Sequence, residues 1–399
     1  MRSTGIRVLL TGVAAVAIGI YAERGFSADK NPPKNDPVTI AVEKGMKWLV
    51  SVQGKDGGWG QDGGETSYVR QGERLESKGN DVANTAVAAA ALLHTGNTPT
   101  KGEYHEALNR AVAFILERVE KSPDDGLVVT DVTGTQIQRK LGPYIDTFLT
   151  SKLLAELDGT MGTQEGNLRV RQNLQKCVAK IEKNQLKDGS WNISGGWAPI
   201  LGTSMASRSL FIAQQKGVAV SDMAMARVDG YTVSASKAAP ASGGVGAGVG
   251  AGVGGGTFSS SAERVAMSAS AGVSLYQGAQ QLEQLTRTEV DRTKNWRQIK
   301  AITDQLDNAQ FINGFGSFGG EEFFSYLNIS DSLHRSGGPE WEKWNRDIKA
   351  KMLKLQNEDG TWAGHHCITG RVAVTSAAIL TLLAERDTVA APAAKQQKN

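Results

Sequence analysis

Glutamine, glycine and tryptophan recur in this chain at one fixed spacing, in the pattern Gln-x3-Gly-x-Trp. The three copies are Gln53–Trp59, Gln185–Trp191 and Gln356–Trp362. Each copy follows an amphipathic helical stretch and precedes a second helical stretch of alanine and other small residues. Because a single helical hairpin leaves an apolar face uncovered, repeated hairpins have to stack on one another. The repeat therefore predicts an all-α fold made of stacked hairpins.

The residue types of the pattern predict a structural role. Glycine allows the left-handed turn that ends the first helix, and tryptophan can pack across the next hairpin. Glutamine has both a donor and an acceptor, so it can satisfy backbone groups at a neighbouring helix end. We therefore expect the pattern to join hairpins rather than to act in catalysis. Its positions are Gln53, Gly57, Trp59, Gln185, Gly189, Trp191, Gln356, Gly360 and Trp362.

Degenerate copies fill in the rest of the chain. Gly126 and Gly314 mark two of them, and the step from Gly189 to Gly314 is about double the steps before it. A hidden unit is expected there, with its inner helix at residues 263–278. Six hairpins would close into a ring of inner helices inside a layer of outer ones. The predicted domain is an α/α toroid over residues 38–386, with a flexible Gly-rich insertion near residues 238–262.

The N-terminal segment has the pattern of a targeting signal. Arg2 and Arg7 precede a mostly apolar run at residues 8–21, so residues 1–28 are interpreted as a secretory signal peptide. Residues 29–37 are a predicted linker and residues 387–399 a predicted flexible tail. We expect an exported protein, periplasmic or extracellular, with no integral membrane span in the mature chain; N-terminal membrane anchoring is the alternative.

The nearly balanced charge of the chain argues against nucleic acid as a partner. The chain has 44 basic and 41 acidic residues, a net charge of +3, and no dense basic stripe with interleaved aromatics. Nucleic acid is therefore not an expected partner. A small molecule, a polysaccharide or a protein remain as candidate ligands.

The first copy of the pattern is the fullest, with Lys44, Gly45, Trp48 and Leu49 ahead of Gln53. This arrangement resembles the QW motif of the squalene cyclase and prenyltransferase repeat superfamily. The resemblance covers most of the mature chain, strictly in three units and in degenerate form in two others. It implies an α/α toroid whose inner helices begin at the mouth of a central cavity, where relatives place their chemistry.

Three kinds of relative have recognisable signatures, and this sequence contains none of the three. Squalene–hopene cyclases use an Asp-x-Asp-Asp cluster to protonate an alkene, whereas the nearest tandem acids here are Asp124 and Asp125 beside a turn glycine. Protein prenyltransferases hold zinc with an Asp-x-Cys pair and a distant histidine, and thioester proteins use Cys-Gly-Glu-Gln. The resemblance therefore implies the architecture without a known activity.

Polar residues at the predicted inner-helix starts are the candidates for a site, since they have little other reason to face a cavity. Each has a structural alternative: an N-cap for Asp81, a solvated helix position for Asp331, a core position for Tyr326. A polar cavity of this kind argues against terpene substrates. The set comprises Asp81, Asn84, Tyr144, Asp146, Tyr326, Asp331, His334, His365, His366 and Cys367.

His365, His366 and Cys367 are three adjacent residues of metal-ligating types. Their spacing matches no standard structural zinc site, and consecutive side chains rarely point at one ion, so the alternative is a packed loop. No cofactor is expected, apart from a zinc ion that this cluster could bind. Cys177 and Cys367 fall in units nearly opposite each other in a six-hairpin ring, so two separate thiols are expected rather than a disulfide.

Two functions follow from these observations. The first is a ligand- or protein-binding toroid that has kept the repeat and lost the known catalytic signatures. The alternative is a divergent enzyme that uses the central cavity, resembling either a terpenoid cyclase or a polysaccharide lyase. An enzyme should bring titratable groups together within hydrogen-bond reach, whereas a binding module should show scattered polar residues or a capped ring.

Overall fold

A computed structural model describes residues 36–61, 79–193, 199–238, 274–314 and 318–386, and these residues form helices, turns and loops. The predicted all-α class is confirmed, because the described residues contain isolated β-bridges but no strand. The α-helices are α1 (Pro37–Ser51), α2 (Val82–His94), α3 (His105–Lys121), α4 (Gln136–Leu141), α5 (Ile145–Leu157), α6 (Gln164–Lys183), α7 (Pro199–Gln215), α8 (Asp222–Ala238), α9 (Ser274–Leu285), α10 (Glu289–Lys294), α11 (Trp296–Thr303), α12 (Ala309–Ile312), α13 (Gly320–Ser336), α14 (Gly338–Leu355) and α15 (Arg371–Leu382), and short 3-10 turns follow at Asp304–Asp307 and Ala384–Arg386.

Six helices pack in a closed order, which we call the inner ring: α2, α5, α7, α9, α13 and α15. Each packs on the next, and α15 packs back on α2. Nearly every residue of α2 and α15 is buried, and small residues dominate both helices, so neighbouring backbones can approach closely. Amphipathic helices such as α3 and α14 bury one face on the outside. This closed order of contacts is the order that an α/α toroid requires.

The tryptophans of the repeat anchor the helix that precedes them. Trp59, Trp191 and Trp362 are all buried. Each indole N–H donates to the backbone carbonyl ten residues earlier, at 2.7 Å for Trp59 and Trp191 and 2.8 Å for Trp362. Each tryptophan backbone N–H also donates to a threonine hydroxyl on the following inner helix. Each tryptophan therefore links the outer and inner helix of its own hairpin.

The glutamines link one hairpin to the next. The side-chain amide of Gln53 donates to the carbonyl of Ala107 in α3 at 2.9 Å, and Gln185 donates to Ala224 in α8 at the same distance. Gln356 donates to Ala41 in α1 at 2.8 Å. Since α1 is the first described helix and Gln356 lies in the last repeat, this bond joins the first and last hairpins.

The structure places several boundaries differently from the sequence pattern. Helix α1 begins at Pro37, capped by Asp36, so it takes in the last residue of the predicted linker. Of the hidden unit's inner helix, predicted at residues 263–278, the structure describes a helix at Ser274–Leu285, and residues 263–273 lie outside the described residues. The predicted signal peptide, most of the linker and of the Gly-rich insertion, and the predicted tail also lie outside them. No described helix combines the length and apolarity that crossing a membrane requires.

Candidate functional site

Helix α4 lies across the starts of the inner helices. It packs against α2, α5 and α7, and its residues Gln136, Ile137 and Leu141 are buried. The side-chain amide oxygen of Gln136 (Oε1) accepts the backbone N–H groups of Thr369 and Gly370, each at 3.0 Å, just before α15. The end of the ring where the resemblance implies a cavity mouth is therefore occupied by the chain itself.

Asp81 and Asp146 cap these helix starts. Asp81 is the N-cap of α2 and accepts from the backbone and side-chain nitrogens of Asn84, each at 2.8 Å. Asp146 accepts from the backbone N–H of Ala83 at 3.0 Å and from the amide of Gln138 at 2.8 Å. Burial raises the pKa of Asp81 to about 6. Burial, with the charge of Asp81, raises the pKa of Asp146 to about 7. These carboxyls are engaged in holding α2 and α4 in place.

Two further candidates, Tyr326 and His334, lie away from the helix starts, because α13 begins at Gly320. Tyr326 is a core residue whose hydroxyl donates to the carbonyl of Ile312 at 2.7 Å. His334 lies in the last turn and packs against the ring of Trp341, with centroids 5.0 Å apart. The expectation that these side chains meet Asp81 and Asp146 at a common mouth is therefore wrong.

Polar side chains connect two helices of the inner ring that are not neighbours. Asp331 of α13 has a carboxylate oxygen 3.9 Å from a guanidinium nitrogen of Arg208 in α7, and both residues are buried. One turn earlier on each helix, the Asn328 amide lies 3.4 Å from the Ser204 hydroxyl. Helices α7 and α13 lie on either side of α9 in the ring, so these contacts pass α9. Asp331 is therefore a buried residue that approaches Arg208, and it lies in the second half of α13 rather than at its start.

A second group of ionisable side chains meets where α13 begins. Glu321 lies in the first turn of α13, and His366 and Cys367 lie in the loop that leads into α15. All three are buried, and their potential ligand atoms lie within 4.8 Å of one another. We call these three residues the Glu-His-Cys cluster. It is the part of the site that combines a carboxylate, an imidazole and a thiol.

Glu322 and Tyr276 surround the Glu-His-Cys cluster. The Tyr276 hydroxyl donates to Glu322 at 3.0 Å, and the other Glu322 oxygen lies 4.0 Å from His366 Nε2. Burial and the neighbouring carboxylate of Glu322 raise the pKa of Glu321 to about 8. Burial and the same two glutamates raise the pKa of the Tyr276 phenol well above its usual range. The buried surroundings therefore disfavour the ionised forms of Glu321 and Tyr276 unless a cation lies beside them.

His365, the third member of the metal set expected from sequence, does not belong to the group that converges. Its backbone N–H donates to the carbonyl of Phe318 at 2.9 Å, in a loop where Cys367 has a φ of 59°. Consecutive side chains in such a loop point in different directions, and Glu321 takes the third place instead. Neither Cys177 nor Cys367 forms a disulfide in the described structure, as expected.

Sequence reasoning does not select Glu321, Glu322 or α4. Acidic residues before an apolar run are common at helix N-termini, where they favour the helix dipole, so Glu321 and Glu322 look like ordinary first-turn residues. Helix α4 does have a signal, since Thr135 and Gln138 form a capping box. Its six residues are too few for a periodic pattern to reveal.

An open groove lies on the outer layer. It has a volume of about 640 Å³ and is bounded by the segment from Thr303 to Asn313 and by α14. Its lining mixes charges and an aromatic ring, including Asp307, Lys343, Trp344 and Lys351. The Lys351 ammonium lies 4.3 Å from the centroid of the Phe318 ring. A groove of this size and mixed lining suits a small polar ligand.

Comparison with known proteins gives one partial similarity. No protein-family model matches the chain. A stretch of 82 residues, 21% of the chain, is 33% identical to a squalene–hopene cyclase from Bradyrhizobium diazoefficiens. The match spans 11% of that cyclase. The chain is therefore similar to a squalene cyclase over about one fifth of its length.

Proposed function

We propose that this protein is an exported member of the squalene cyclase and prenyltransferase repeat superfamily that acts as a binding module and does not cyclise terpenoids. The partial similarity to a squalene–hopene cyclase supports the superfamily. The apolar N-terminal segment with its leading arginines supports export. The absence of the Asp-x-Asp-Asp, Asp-x-Cys and thioester sequences supports a role other than those of the known relatives.

The observation that carries this proposal is the set of buried polar side chains on the inner helices α7 and α13. A cyclase has to enclose a long apolar chain in a cavity and stabilise a cation with aromatic faces. Here Asn328 contacts Ser204, and Arg208 approaches Asp331, between α7 and α13. Helix α4 also covers the starts of α2, α5 and α7. Buried amide, hydroxyl and charged groups at these positions are poorly matched to an apolar chain such as squalene.

A second candidate is an enzyme, and a specific observation favours placing its chemistry at the Glu-His-Cys cluster. Asp81 and Asp146 are occupied as caps, whereas Glu321, His366 and Cys367 converge on one another. Converging buried titratable groups are typical of active sites. An enzymatic activity would therefore depend on these three residues rather than on the two aspartates.

For the binding function, the outer groove offers a space of about 640 Å³. Lys351 lies at its edge, close to both Phe318 and Asn313, and burial lowers the pKa of its ammonium. Lys343 and Asp307 form an ion pair on the same lining. We therefore expect a polar ligand with an anionic group, such as a uronic-acid oligosaccharide, to bind in the groove.

The test is a thermal-shift series on the chain from Asp29 onward, with squalene, farnesyl diphosphate and uronic-acid oligosaccharides, together with product analysis after incubation with squalene. We expect no cyclised product, and a rise in Tm with the oligosaccharide. Lys351→Met should remove that rise. Lys187→Met, at an exposed lysine within the copy Gln185–Trp191, should keep it. Cyclised squalene would overturn the proposal in favour of an enzyme.

A further inference from the structure

We propose that Glu321, His366 and Cys367 form a zinc site, with a carboxylate oxygen, an imidazole nitrogen and the thiolate as its protein ligands. Their potential ligand atoms all lie within 4.8 Å of one another. Ligands bound to one zinc ion at about 2.0–2.3 Å lie roughly 3.5 Å apart. The three side chains therefore need to move by roughly 1 Å to close on an ion.

The state of Glu321 points to a cation. The residue is completely buried, and neither of its carboxylate oxygens receives a hydrogen bond from an N–H or O–H group of another described residue. Its own backbone N–H, the thiol of Cys367 and the more distant charge of Lys140 favour the charged carboxylate, and Glu322 opposes it. A buried carboxylate in this position costs several kcal/mol unless it is paired or bound to a metal. Zinc would supply the missing charge.

Gly319 leaves a space between two of the ligands. A Cβ atom on this residue would lie 2.6 Å from His366 Nδ1 and 2.8 Å from a carboxylate oxygen of Glu321. The backbone of Gly319 has φ −77° and ψ 171°, which any residue adopts, so the conformation alone does not require glycine. The absence of a side chain is instead what lets Nδ1 and the carboxylate oxygen face a common space.

The opposite side of the His366 ring faces Glu322. Its Nε2 lies 4.0 Å from a carboxylate oxygen of Glu322, whose other oxygen accepts the Tyr276 hydroxyl. Metal-binding histidines commonly have a carboxylate on the ring nitrogen that is not bound to the metal, which fixes the orientation of the imidazole. Nδ1 is therefore the expected ligand atom, with Glu322 and Tyr276 holding the ring in place.

The combination of ligands selects zinc among the common metals. A thiolate disfavours magnesium and calcium, which take oxygen ligands, while imidazole, thiolate and carboxylate together suit zinc. Three protein ligands leave the fourth position of a tetrahedron for water or for a ligand group. The site is distinct from the outer groove, so it stands whether or not the proposed binding function is correct.

The test is metal content and cobalt spectroscopy on the full chain purified without chelators. We expect one zinc ion per chain, and, after exchange for cobalt, a thiolate-to-cobalt charge-transfer band with the ligand-field pattern of a tetrahedral site. Glu321→Gln and Cys367→Ser should each lose stoichiometric metal. Gly319→Ala should lose it as well, although it alters no ligand.

Two matched variants serve as controls. His365→Ala changes the neighbouring histidine, and Cys177→Ser changes a buried thiol in α6, so both should keep one metal ion per chain. Circular dichroism shows whether each variant is folded, and the cobalt spectrum of the unaltered chain needs no variant at all. An unaltered chain that binds neither zinc nor cobalt would overturn the site. So would a folded Cys367→Ser chain with unchanged metal content.

Discussion

Gly360 lies where the last repeat packs against the first helix, and its replacement by alanine tests how closely the two approach. It has a φ of +88°, and a Cβ atom there would lie 2.8 Å from the Lys44 Cβ and 2.9 Å from the Lys44 carbonyl group. The left-handed backbone costs a non-glycine residue about 1–2 kcal/mol. Forcing a carbon against α1 adds about 1–3 kcal/mol. Gly360→Ala should therefore lower the free energy of unfolding by about 2–5 kcal/mol.

Gly159 offers a matched control. Its φ is +86°, and a Cβ atom there would have no neighbour within 4 Å. Gly159→Ala therefore carries the backbone cost alone, about 1–2 kcal/mol. The difference between the two variants isolates the contact between the last turn and α1. Urea unfolding, followed by both tryptophan fluorescence and circular dichroism, gives both values, and coincident curves justify a two-state treatment.

If the last repeat packs against α1, Gly360→Ala should lower the free energy of unfolding more than Gly159→Ala does. If Gly360→Ala and Gly159→Ala lower the free energy of unfolding equally, the turn at Gly360 does not pack against α1 in solution. That result would refute the contact between the last repeat and the first helix. A large loss in Gly360→Ala with a changed urea m-value would instead indicate that one end of the ring opens before the rest unfolds.

Three further outcomes are expected. Trp59→Phe removes the indole donor to the Leu49 carbonyl and should destabilise the protein by about 1–3 kcal/mol in urea unfolding, whereas Trp296→Phe, at a side chain 56% exposed, should stay within about 0.5 kcal/mol; equal effects would contradict the role given to the repeat tryptophan. The raised pKa values of Asp81 (about 6) and Asp146 (about 7) mean that the folded chain binds these protons more tightly than the unfolded chain. Stability should therefore fall as pH rises from about 4 to 7, and Asp146→Asn should flatten the dependence of the urea midpoint on pH; an unchanged slope would show that the pair does not titrate there. Burial raises the pKa of Cys177 to about 12, so an alkylating reagent at neutral pH should label it only in urea, and rapid labelling of the native chain, read by mass spectrometry, would show that α6 opens.

The sequence predicts the helices well because the repeat pattern is local. Gln53, Gly57 and Trp59 lie within seven residues, and the turn that they form depends on neighbours along the chain. Their partners in α3 are distant in sequence, but the regular order of hairpins makes those contacts predictable. The same local character explains why Asp81 could be recognised as an N-cap before its structure was known.

The site is less predictable because it depends on how helix starts meet. The position of Glu321 beside Cys367 follows from the packing of α13 on α15, which no short pattern encodes. His365 is next to His366 in the sequence, so the sequence suggests it as a ligand, whereas Glu321 is the residue that lies close in space. Because α13 begins at Gly320, Glu321 lies in its first turn and His334 lies at its opposite end.

Different residues join the hairpins and form the Glu-His-Cys cluster. The glutamines and tryptophans of the repeat bond to backbone carbonyls of outer helices, and none of them belongs to the Glu-His-Cys cluster. The repeat depends on the inner helices only through the threonines that accept the tryptophan backbone N–H groups, so the residues of the Glu-His-Cys cluster can change without removing a bond of the repeat. Small inner-helix residues that let the ring close also bring Asn328 within reach of Ser204, which narrows the interior. A ring closed in this way leaves the outer groove and the start of α13 as the places where a ligand or an ion can be held.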